Sequence, residues 1–243
     1  MSADLRLDSP IGRGRVADVF AHGSDVIKLY RSGHGKKEAF REAAHLSILE
    51  DANLPVPAVR AVGKFGERWG IRMSRAPERV LPVTNESTAS LMADLHWRIH
   101  EVRGKPLADL KQKLAGNIQS ATQLTINQRS ILLAKLASLP QGDRLCHGDF
   151  HLGNLMGSVE EPFVVDWLDA TSGPAQADAC RTYLLALHHA PALAEPYLAA
   201  YSEASNWRPE QITIWLPVIA AARLAENVIE ELPQLLDLAA AAG

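Results

Sequence analysis

The chain has 243 residues, of which 47% are hydrophobic and 22% charged, and its formal net charge is −3. This length allows one large domain or two smaller lobes, each with its own apolar core. The balance of charge argues against a nucleic-acid partner, because such proteins normally carry a basic excess. No apolar run approaches the roughly 20 residues needed to cross a bilayer, so we expect no membrane contact of that kind.

The N-terminus and the cysteines indicate the cellular compartment. The opening residues "MSADLRLDSP" lack a basic region followed by an apolar core, so no signal peptide is predicted. Cys146 and Cys180 stand in apolar segments and are expected to be buried thiols rather than a disulfide. We therefore expect a soluble, cytoplasmic protein.

Strand signals dominate the first third of the chain. Two strands, Val16 to Ala21 and Val26 to Tyr30, flank the tight turn "HGSD". A helix is predicted over residues 36–51, where apolar residues recur at helical spacing. Two prolines end it, and two short strands follow on either side of a turn near Gly66. The first third thus has roughly five strands and one helix.

Helical patterns dominate after Arg75. Asn85 or Ser87 is a candidate N-cap for a helix through residues 88–102, and further helices are predicted over 107–119 and 126–139. Phe163 to Asp166 has the pattern of a buried strand, and beyond about residue 178 only helices are predicted. Strands and helices segregated in this way predict an α+β protein, with a strand-rich domain over 1–75 and a helix-rich domain over 76–243.

The segment "LCHGDFHLGNLM", residues 145–156, carries the strongest chemical signal. Asp149 and Asn154 are five positions apart, and Asp166 follows twelve positions later at the end of a predicted hairpin. This order is typical of kinase-type phosphoryl transfer. Asn154 and Asp166 offer oxygen ligands of the kind that Mg²⁺ prefers. Asp149 offers a carboxylate that can orient a hydroxyl and accept its proton.

Two histidines in the same segment allow a different interpretation. His147 and His151 could be zinc ligands, but an i, i+4 pair shares a face only in a helix, and Gly148 and Gly153 disfavour one. No third ligand stands at zinc-like spacing. A polar loop without chemistry is the other alternative, because an Asp-to-Asn spacing alone is common.

Residues near the N-terminus offer a phosphate site. Gly12 and Gly14 in "IGRGRV" would let the backbone approach phosphates closely, and the usual third glycine is absent. Lys28 lies in the apolar strand "VIKLY", where a charge is costly unless paired. Glu42 on the following helix is the expected partner and Glu38 the rival. The alternative is that Lys28 reaches solvent.

Together these motifs resemble the aminoglycoside phosphotransferase family, the small-molecule branch of the protein-kinase-like fold. "HGDFHLGN" looks like the family's H-G-D-x-H-x-x-N loop, and "VVDW" resembles its V/I-D-W metal segment. "LMADLHWRIH" is similar to its L-a-x-x-L-H-x-x-H helix. "REAAHLSILEDANLPVPAV" and "GPAQADACRTYLL" extend the likeness over residues 11–185 in the family's order.

The resemblance implies a bilobal protein-kinase-like fold. Its N-lobe would hold an antiparallel five-stranded sheet with one helix, and its C-lobe would be mainly helical. Lys28, braced by Glu42, would bind the α- and β-phosphates of ATP. The adenine would meet the backbone of a hinge formed by four residues: Met73, Ser74, Arg75 and Ala76.

The resemblance also implies the roles around the loop. Asp149 would be the catalytic base, and Asn154 and Asp166 would bind Mg²⁺. His151 would contact the γ-phosphate. His147 would hold the loop in shape, and Asp178 would either anchor the loop or cap the next helix.

Charge beyond Val165 bears on the phosphate acceptor. Ten acidic residues there stand against three arginines, which favours a cationic small molecule such as an amino sugar or an amino alcohol. The alternative is that these acids are solvated helix faces, with Glu226, Glu230 and Glu231 as the candidates for a pocket. The sequence carries no signal for an oligomeric state.

Three functions follow from these observations. The first is an ATP- and Mg²⁺-dependent kinase that acts on a hydroxyl of a small molecule. The second is a nucleotide-binding pseudokinase with a regulatory role. The missing third glycine of the phosphate loop favours this alternative. The third is a small atypical protein kinase.

Overall fold

A computed structural model describes residues 9–33, 35–78 and 86–241. The candidate cap Asn85 and the first eight residues of the segment tested for a signal peptide lie outside the described residues. The chain divides into two compact units. The first, the sheet unit, comprises residues 1–81 and 153–169, and the second, the helical unit, comprises residues 82–152 and 170–243. The sheet unit therefore includes the segment around Asn154 and Asp166, and the predicted domain division after residue 75 stays a prediction.

Strands dominate the first third of the chain, with one helix among them, and helices dominate the rest. The strands are β1 Gly12–Arg13, β2 Ala17–His22, β3 Asp25–Tyr30, β4 Val59–Phe65, β5 Arg68–Ser74, β6 Arg144–Cys146, β7 Leu155–Gly157, β8 Pro162–Val164 and β9 Thr171–Gly173. The α-helices are α1 Lys36–Glu50, α2 Glu86–Glu101, α3 Leu110–Ser120, α4 Ile126–Ser138, α5 Ala175–His189, α6 Pro191–Ser205, α7 Pro209–Thr213, α8 Leu216–Arg223 and α9 Leu232–Ala240. The predicted α+β class is confirmed.

The sheet unit is built on one antiparallel sheet with the strand order β1-β2-β3-β5-β4. The register places Gly12 opposite Val19, Val19 opposite Lys28, and Lys28 opposite Ile71. Gly12 and Lys28 therefore stand in one row across the sheet, two strand spacings or about 10 Å apart. The apolar face of α1 packs on this sheet through buried Ala39, Leu46 and Leu49.

The hairpin β7–β8 pairs Leu155 with Val164 and confirms the turn predicted between Asn154 and Asp166. The predicted strand from Phe163 to Asp166 is wrong at its end, because β8 stops at Val164. Asp166 has a φ of 66°, in the left-handed region that a strand residue does not adopt. Aspartate tolerates this region better than most residues, because its short polar side chain can hydrogen-bond locally.

The helical unit contains a short two-stranded sheet, β6 with β9, that sequence patterns did not indicate. Strands of three residues are too short to show an alternating pattern. Ser87 lies inside α2, so it is not the cap of that helix. Both cysteines are buried free thiols, as predicted. Within the described residues, none of the helices has the length and apolar character to cross a membrane.

Close approach of neighbouring strands explains one glycine of the sheet. A Cβ on Gly70 would lie 2.5 Å from the Lys28 carbonyl oxygen, whereas a Cβ on its cross-strand partner Gly63 would have no atom within 4 Å. We predict that Gly70→Ala lowers the free energy of unfolding by about 1–3 kcal/mol, because overpacking shifts β3 or β5. Gly63→Ala is the matched control and should stay close to wild type. Chemical denaturation measures both, and equal midpoints for the two variants would contradict the account.

Candidate active site

A buried lysine lies at the centre of the sheet unit. Lys28 is 5% exposed, and its Nζ contacts both carboxylate oxygens of Glu42, at 2.9 and 2.8 Å. The same Nζ donates to Oδ1 of Asp166 at 2.8 Å. Burial alone would lower the pKa of Lys28, but the charges of Glu42 and Asp166 raise it, so the ammonium is protonated. Lys28 does not reach to solvent, and Glu42 rather than Glu38 is its partner, since Glu38 accepts from the Gly35 N–H.

Tyr30 is a fourth member of this cluster, and sequence reasoning missed it. Its hydroxyl donates to Oε2 of Glu42, the oxygen that also accepts from Lys28. Burial raises the pKa of Tyr30, and the charge of Glu42 adds to the rise, so the phenol keeps its proton and remains a donor. Tyr30 and Lys28 are two residues apart on β3 and point to the same face of the strand, a spacing that could have revealed the pair.

Backbone hydrogen bonds place Asp166 beside Lys28. The Val164 N–H donates to the Pro55 carbonyl at 2.8 Å, and the Val165 N–H donates to the Asn154 carbonyl at 3.0 Å. On the other side of Asp166, the Trp167 carbonyl contacts Nδ1 of His45 at 2.9 Å. His45 lies on α1 one turn after Glu42, so one face of that helix holds both Lys28 and the chain next to Asp166.

The predicted phosphate loop and hinge also belong to the sheet unit. Gly14 closes the turn from β1 to β2, where its N–H donates to the Ala17 carbonyl at 2.9 Å. Met73 and Ser74 end β5. The Ser74 N–H donates to the Ala58 carbonyl at 2.9 Å, so this amide is engaged within the protein. Arg75 and Ala76 follow the strand outside regular structure.

In the helical unit, the loop that carries Asp149 leaves β6 and is held by a buried carboxylate. Asp178 accepts the His147 N–H at 2.6 Å and the Gly148 N–H at 2.9 Å. It lies in the first turn of α5, which follows β9, the partner of β6. The predicted role of Asp178 as a support of the loop agrees with these contacts. His147 is fully buried and accepts the Asp149 N–H through Nδ1 at 3.2 Å.

Two histidines of α2 complete the surroundings of Asp178. His96 and His100 contact its Oδ2 through Nε2, at 3.0 and 3.2 Å. Their Nδ1 atoms contact the hydroxyls of Tyr197 and Tyr201, at 2.7 and 2.5 Å. Burial and the neighbouring His100 lower the pKa of His96 to about 3, so its ring is neutral, with Nε2–H as donor and Nδ1 as acceptor.

His96, His100 and Asp178 lie close enough to hold a metal ion. Because the tyrosine hydroxyls and the Asp178 carboxylate engage all four ring nitrogens of His96 and His100, hydrogen bonding accounts for the cluster. Among the described residues, neither of the two groups with metal-binding geometry includes His147 or His151. Residues 147–151 also form no helix, so the zinc alternative lacks support.

Asp149 is partly exposed and is held from two sides within the helical unit. Its Oδ1 lies 3.2 Å from Nη2 of Arg181, and its Oδ2 lies 3.5 Å from Nε2 of His151. Partial burial would raise the pKa of Asp149, but the hydrogen bond from His151 and the charge of Arg181 lower it below its ordinary value. The carboxylate is therefore ionised at neutral pH and can accept a hydrogen bond from a hydroxyl. Arg181 was not among the predicted site residues.

The acidic count of the C-terminal part overstates its free negative charge. Glu226 contacts Arg181 at 2.9 Å and Arg223 at 2.8 Å. Glu231 is 3% exposed, and Arg223 donates a hydrogen bond to each of its carboxylate oxygens. Two of the three candidates for a cation pocket are thus neutralised by arginines, and only Glu230 among them is exposed without a described ion pair.

Comparison with known proteins identifies the class. Residues 9–212 match the model described as APH, the phosphotransferase enzyme family. The chain belongs to this family, which confirms the predicted resemblance and the predicted enzyme class, a kinase-type phosphotransferase. A search of curated proteins found no match.

Solved structures of similar fold agree with this membership. One is the aminoglycoside-3'-phosphotransferase of type VIII, with 18% identity and a TM-score of 0.63 over 90% of each chain. A thermostable mutant of aminoglycoside phosphotransferase APH(4)-Ia, in a ternary complex with ADP and hygromycin B, has 16% identity and a TM-score of 0.66 over 98% of this chain and 90% of that chain. The choline kinase LicA from Streptococcus pneumoniae, in complex with AMP, has 16% identity and a TM-score of 0.67 over 98% and 92%. At these identities the likeness shows the fold, and the predicted protein-kinase-like α+β class is confirmed.

The neutral, buried ring of His96 predicts a pH-dependent stability. The unfolded chain binds a proton at this residue below a pH of about 6.5, whereas the folded chain does so only near its lowered pKa of about 3. The free energy of unfolding should therefore fall as the pH drops from about 6.5 to 4, by up to about 1.4 kcal/mol per pH unit for this one proton.

Denaturation of wild type and His96→Gln across this pH range measures the slope. The variant should be less stable at pH 7 but should lose stability less steeply on acidification. His22→Gln, at an exposed position of β2, is the control and should keep the wild-type slope. Identical slopes for wild type and His96→Gln would show that His96 does not carry the effect.

Proposed function

We propose that the protein is an ATP- and Mg²⁺-dependent phosphotransferase that moves the γ-phosphate to a hydroxyl of a small molecule. The observation that carries this proposal is the position of Lys28, whose buried ammonium joins Glu42 to Asp166. A buried ion pair contributes little net stability, so its presence inside an apolar strand calls for another purpose. Binding the phosphates of a nucleotide is such a purpose, because it needs a fixed positive charge.

Each proposed residue has a stated task in the transfer. The acceptor oxygen forms a bond to the γ-phosphorus, the bond from that phosphorus to the β–γ bridging oxygen breaks, and ADP leaves. The proton of the hydroxyl passes to the ionised carboxylate of Asp149. Lys28 binds the α- and β-phosphates, and His151 contacts the γ-phosphate. Gly12 and Gly14 bring backbone close to the triphosphate, and residues 73–76 meet the adenine.

The donor set fits Mg²⁺. Asn154 and Asp166 supply a neutral amide oxygen and a carboxylate, the hard oxygen ligands that this ion prefers. Both residues lie at the open end of the β7–β8 hairpin, where Val165 is bonded to Asn154. When bound, Mg²⁺ offsets the negative charge of the phosphates. The ADP and AMP complexes of similar fold support a nucleotide as the donor.

The acceptor is proposed to be an aminoglycoside-like compound, a sugar or an amino alcohol. Structures of similar fold come from enzymes named for aminoglycosides and for choline. Because Arg181 and Arg223 neutralise Glu226, charge alone does not single out a polycation. An ATP-consumption screen over aminoglycosides, sugars, amino alcohols and nucleosides identifies the acceptor.

The base assignment predicts the effect of one substitution. Asp149→Asn should lower phosphate transfer by about a hundredfold to ten-thousandfold, because general-base catalysis contributes an effect of this size. Nucleotide binding, measured as the thermal shift caused by ADP and Mg²⁺, should not change. Asp94→Asn, at an exposed position of α2, is the matched control and should keep wild-type activity.

The same experiment separates the alternatives. Transfer by Asp149→Asn at the wild-type rate would overturn the assignment of the base. Mg²⁺-dependent nucleotide binding without turnover on any small or protein acceptor would favour a pseudokinase. Transfer to proteins but to no small molecule would favour a protein kinase.

A further inference from the structure

One face of α5 contacts the loop of Asp149 at three points within the helical unit. Asp178 accepts two backbone N–H groups of the loop, and Thr182 donates its hydroxyl to the Phe150 carbonyl at 2.8 Å. Arg181 reaches the Asp149 side chain at 3.2 Å. The positions i, i+3 and i+4 share one helical face, so the helix that fixes the backbone of the loop also reaches its carboxylate.

Arg181 is held between two carboxylates. Its Nη2 lies 3.2 Å from Oδ1 of Asp149 and 2.9 Å from Oε1 of Glu226. Its side chain is 15% exposed, so these contacts are partly shielded from water. In such surroundings a charge-assisted hydrogen bond is stronger and more directional than at a free surface.

Glu226 is itself fixed by a second arginine. Its Oε2 accepts from Nη1 of Arg223 at 2.8 Å. Arg223, at the end of α8, donates two further hydrogen bonds to the buried Glu231, at 2.6 and 2.7 Å. These contacts form a chain of ion pairs with alternating charge, from Asp149 through Arg181, Glu226 and Arg223 to Glu231. Each ion pair restricts the side chains of the next pair, and this fixes the position of the Arg181 guanidinium.

We propose that Arg181 is a positioning residue for the catalytic step: its hydrogen bond to Oδ1 holds the Asp149 carboxylate in the orientation that meets the acceptor hydroxyl, while Glu226 holds Arg181 in place. The proposal rests on the function proposed above. Its chemical basis is that the carboxylate of Glu226 offsets the positive charge of the Arg181 guanidinium. Asp149 and Glu226 share Nη2 of Arg181, at 3.2 and 2.9 Å, so the position of the guanidinium depends on both carboxylates.

Charged and titratable groups approach Asp149 from three elements of the helical unit. Arg181 approaches from α5, His151 and His147 from the loop itself, and Glu226 stands behind Arg181 on the 3₁₀ turn after α8. Substituting Arg181 by glutamine removes its charge and leaves His147 and His151 in place. The contact of Arg181 with Asp149 can thus be tested separately from the contacts of the histidines.

The test compares Arg181→Gln, Arg181→Lys and Glu226→Gln with two controls at exposed positions, Arg98→Gln and Glu203→Gln. The first readout is ATP hydrolysis in the presence of Mg²⁺ with water as the acceptor, which needs no identified substrate. The second is the pH midpoint of the Asp149 carboxyl in ¹³C NMR, assigned by its loss in Asp149→Asn. The third is the thermal shift caused by ADP and Mg²⁺.

We expect Arg181→Gln to lower the hydrolysis rate by about tenfold to a hundredfold, the loss that a small misplacement of a catalytic group causes. The Asp149 midpoint should rise, and the ADP-induced shift should stay at its wild-type value. Arg181→Lys should recover part of the rate, because it restores the charge without the planar fork. Glu226→Gln should cost less than Arg181→Gln, and the double variant should cost no more than Arg181→Gln alone, because Glu226 acts through Arg181.

A wild-type rate and an unchanged Asp149 midpoint in Arg181→Gln would overturn the inference. So would a parallel loss of thermal stability and ADP binding in Arg181→Gln that Arg181→Lys does not relieve, since that outcome indicates a structural role. The failure of the proposed function looks different. In that case no variant, wild type included, turns over ATP, while the Asp149 midpoint still rises in Arg181→Gln and supports the contact.

Discussion

The ammonium of Lys28, buried inside an apolar strand, is the charge on which the sheet unit depends. Such a charge is tolerated only when oxygen ligands surround it, and Glu42 and Asp166 provide them. This requirement fixes the rotation of α1, because the helix must aim Glu42 at β3. It also fixes the end of the β7–β8 hairpin, because Asp166 must leave the strand direction to reach the same Nζ. Tyr30 and His45 secure these two arrangements from either side.

Asp178 is the corresponding buried charge of the helical unit. Two backbone N–H groups and the side chains of His96 and His100 satisfy it, and the tyrosines of α6 contact the other ring nitrogen of each histidine. The loop of Asp149 therefore has a rigid support made by α2, α5 and α6. Each unit thus pairs one buried charge with one functional segment. These buried charges contribute little net stability to the fold. They position the residues of the proposed reaction instead.

Much of this arrangement could be predicted from the chain alone. The helices and the sheet have strong periodic patterns, and the order of Lys28, Glu42, Asp149, Asn154 and Asp166 indicated the class of enzyme. Sequence patterns missed β6 and β9, because three residues are too few for an alternating signal. They extended a strand over Asp166, since "FVVD" is apolar enough to continue it, but Asp166 is left-handed there and contacts Lys28. Arg181 lay in a helical pattern in which nothing distinguished it from a solvated residue.

The amino-acid sequence establishes which groups are available and in what order: the lysine, the carboxylates, the glycines and the apolar periodicity that folds them into strands and helices. Local patterns carry this information, because hydrophobic spacing acts over neighbouring residues. Which of these groups contact each other follows from tertiary packing. Glu42 rather than Glu38 meets Lys28, and two acids assigned to a cation pocket are instead bound by arginines. The physical reason is that an ion pair depends on distance in space, and packing of helices and strands sets that distance between residues far apart in the chain.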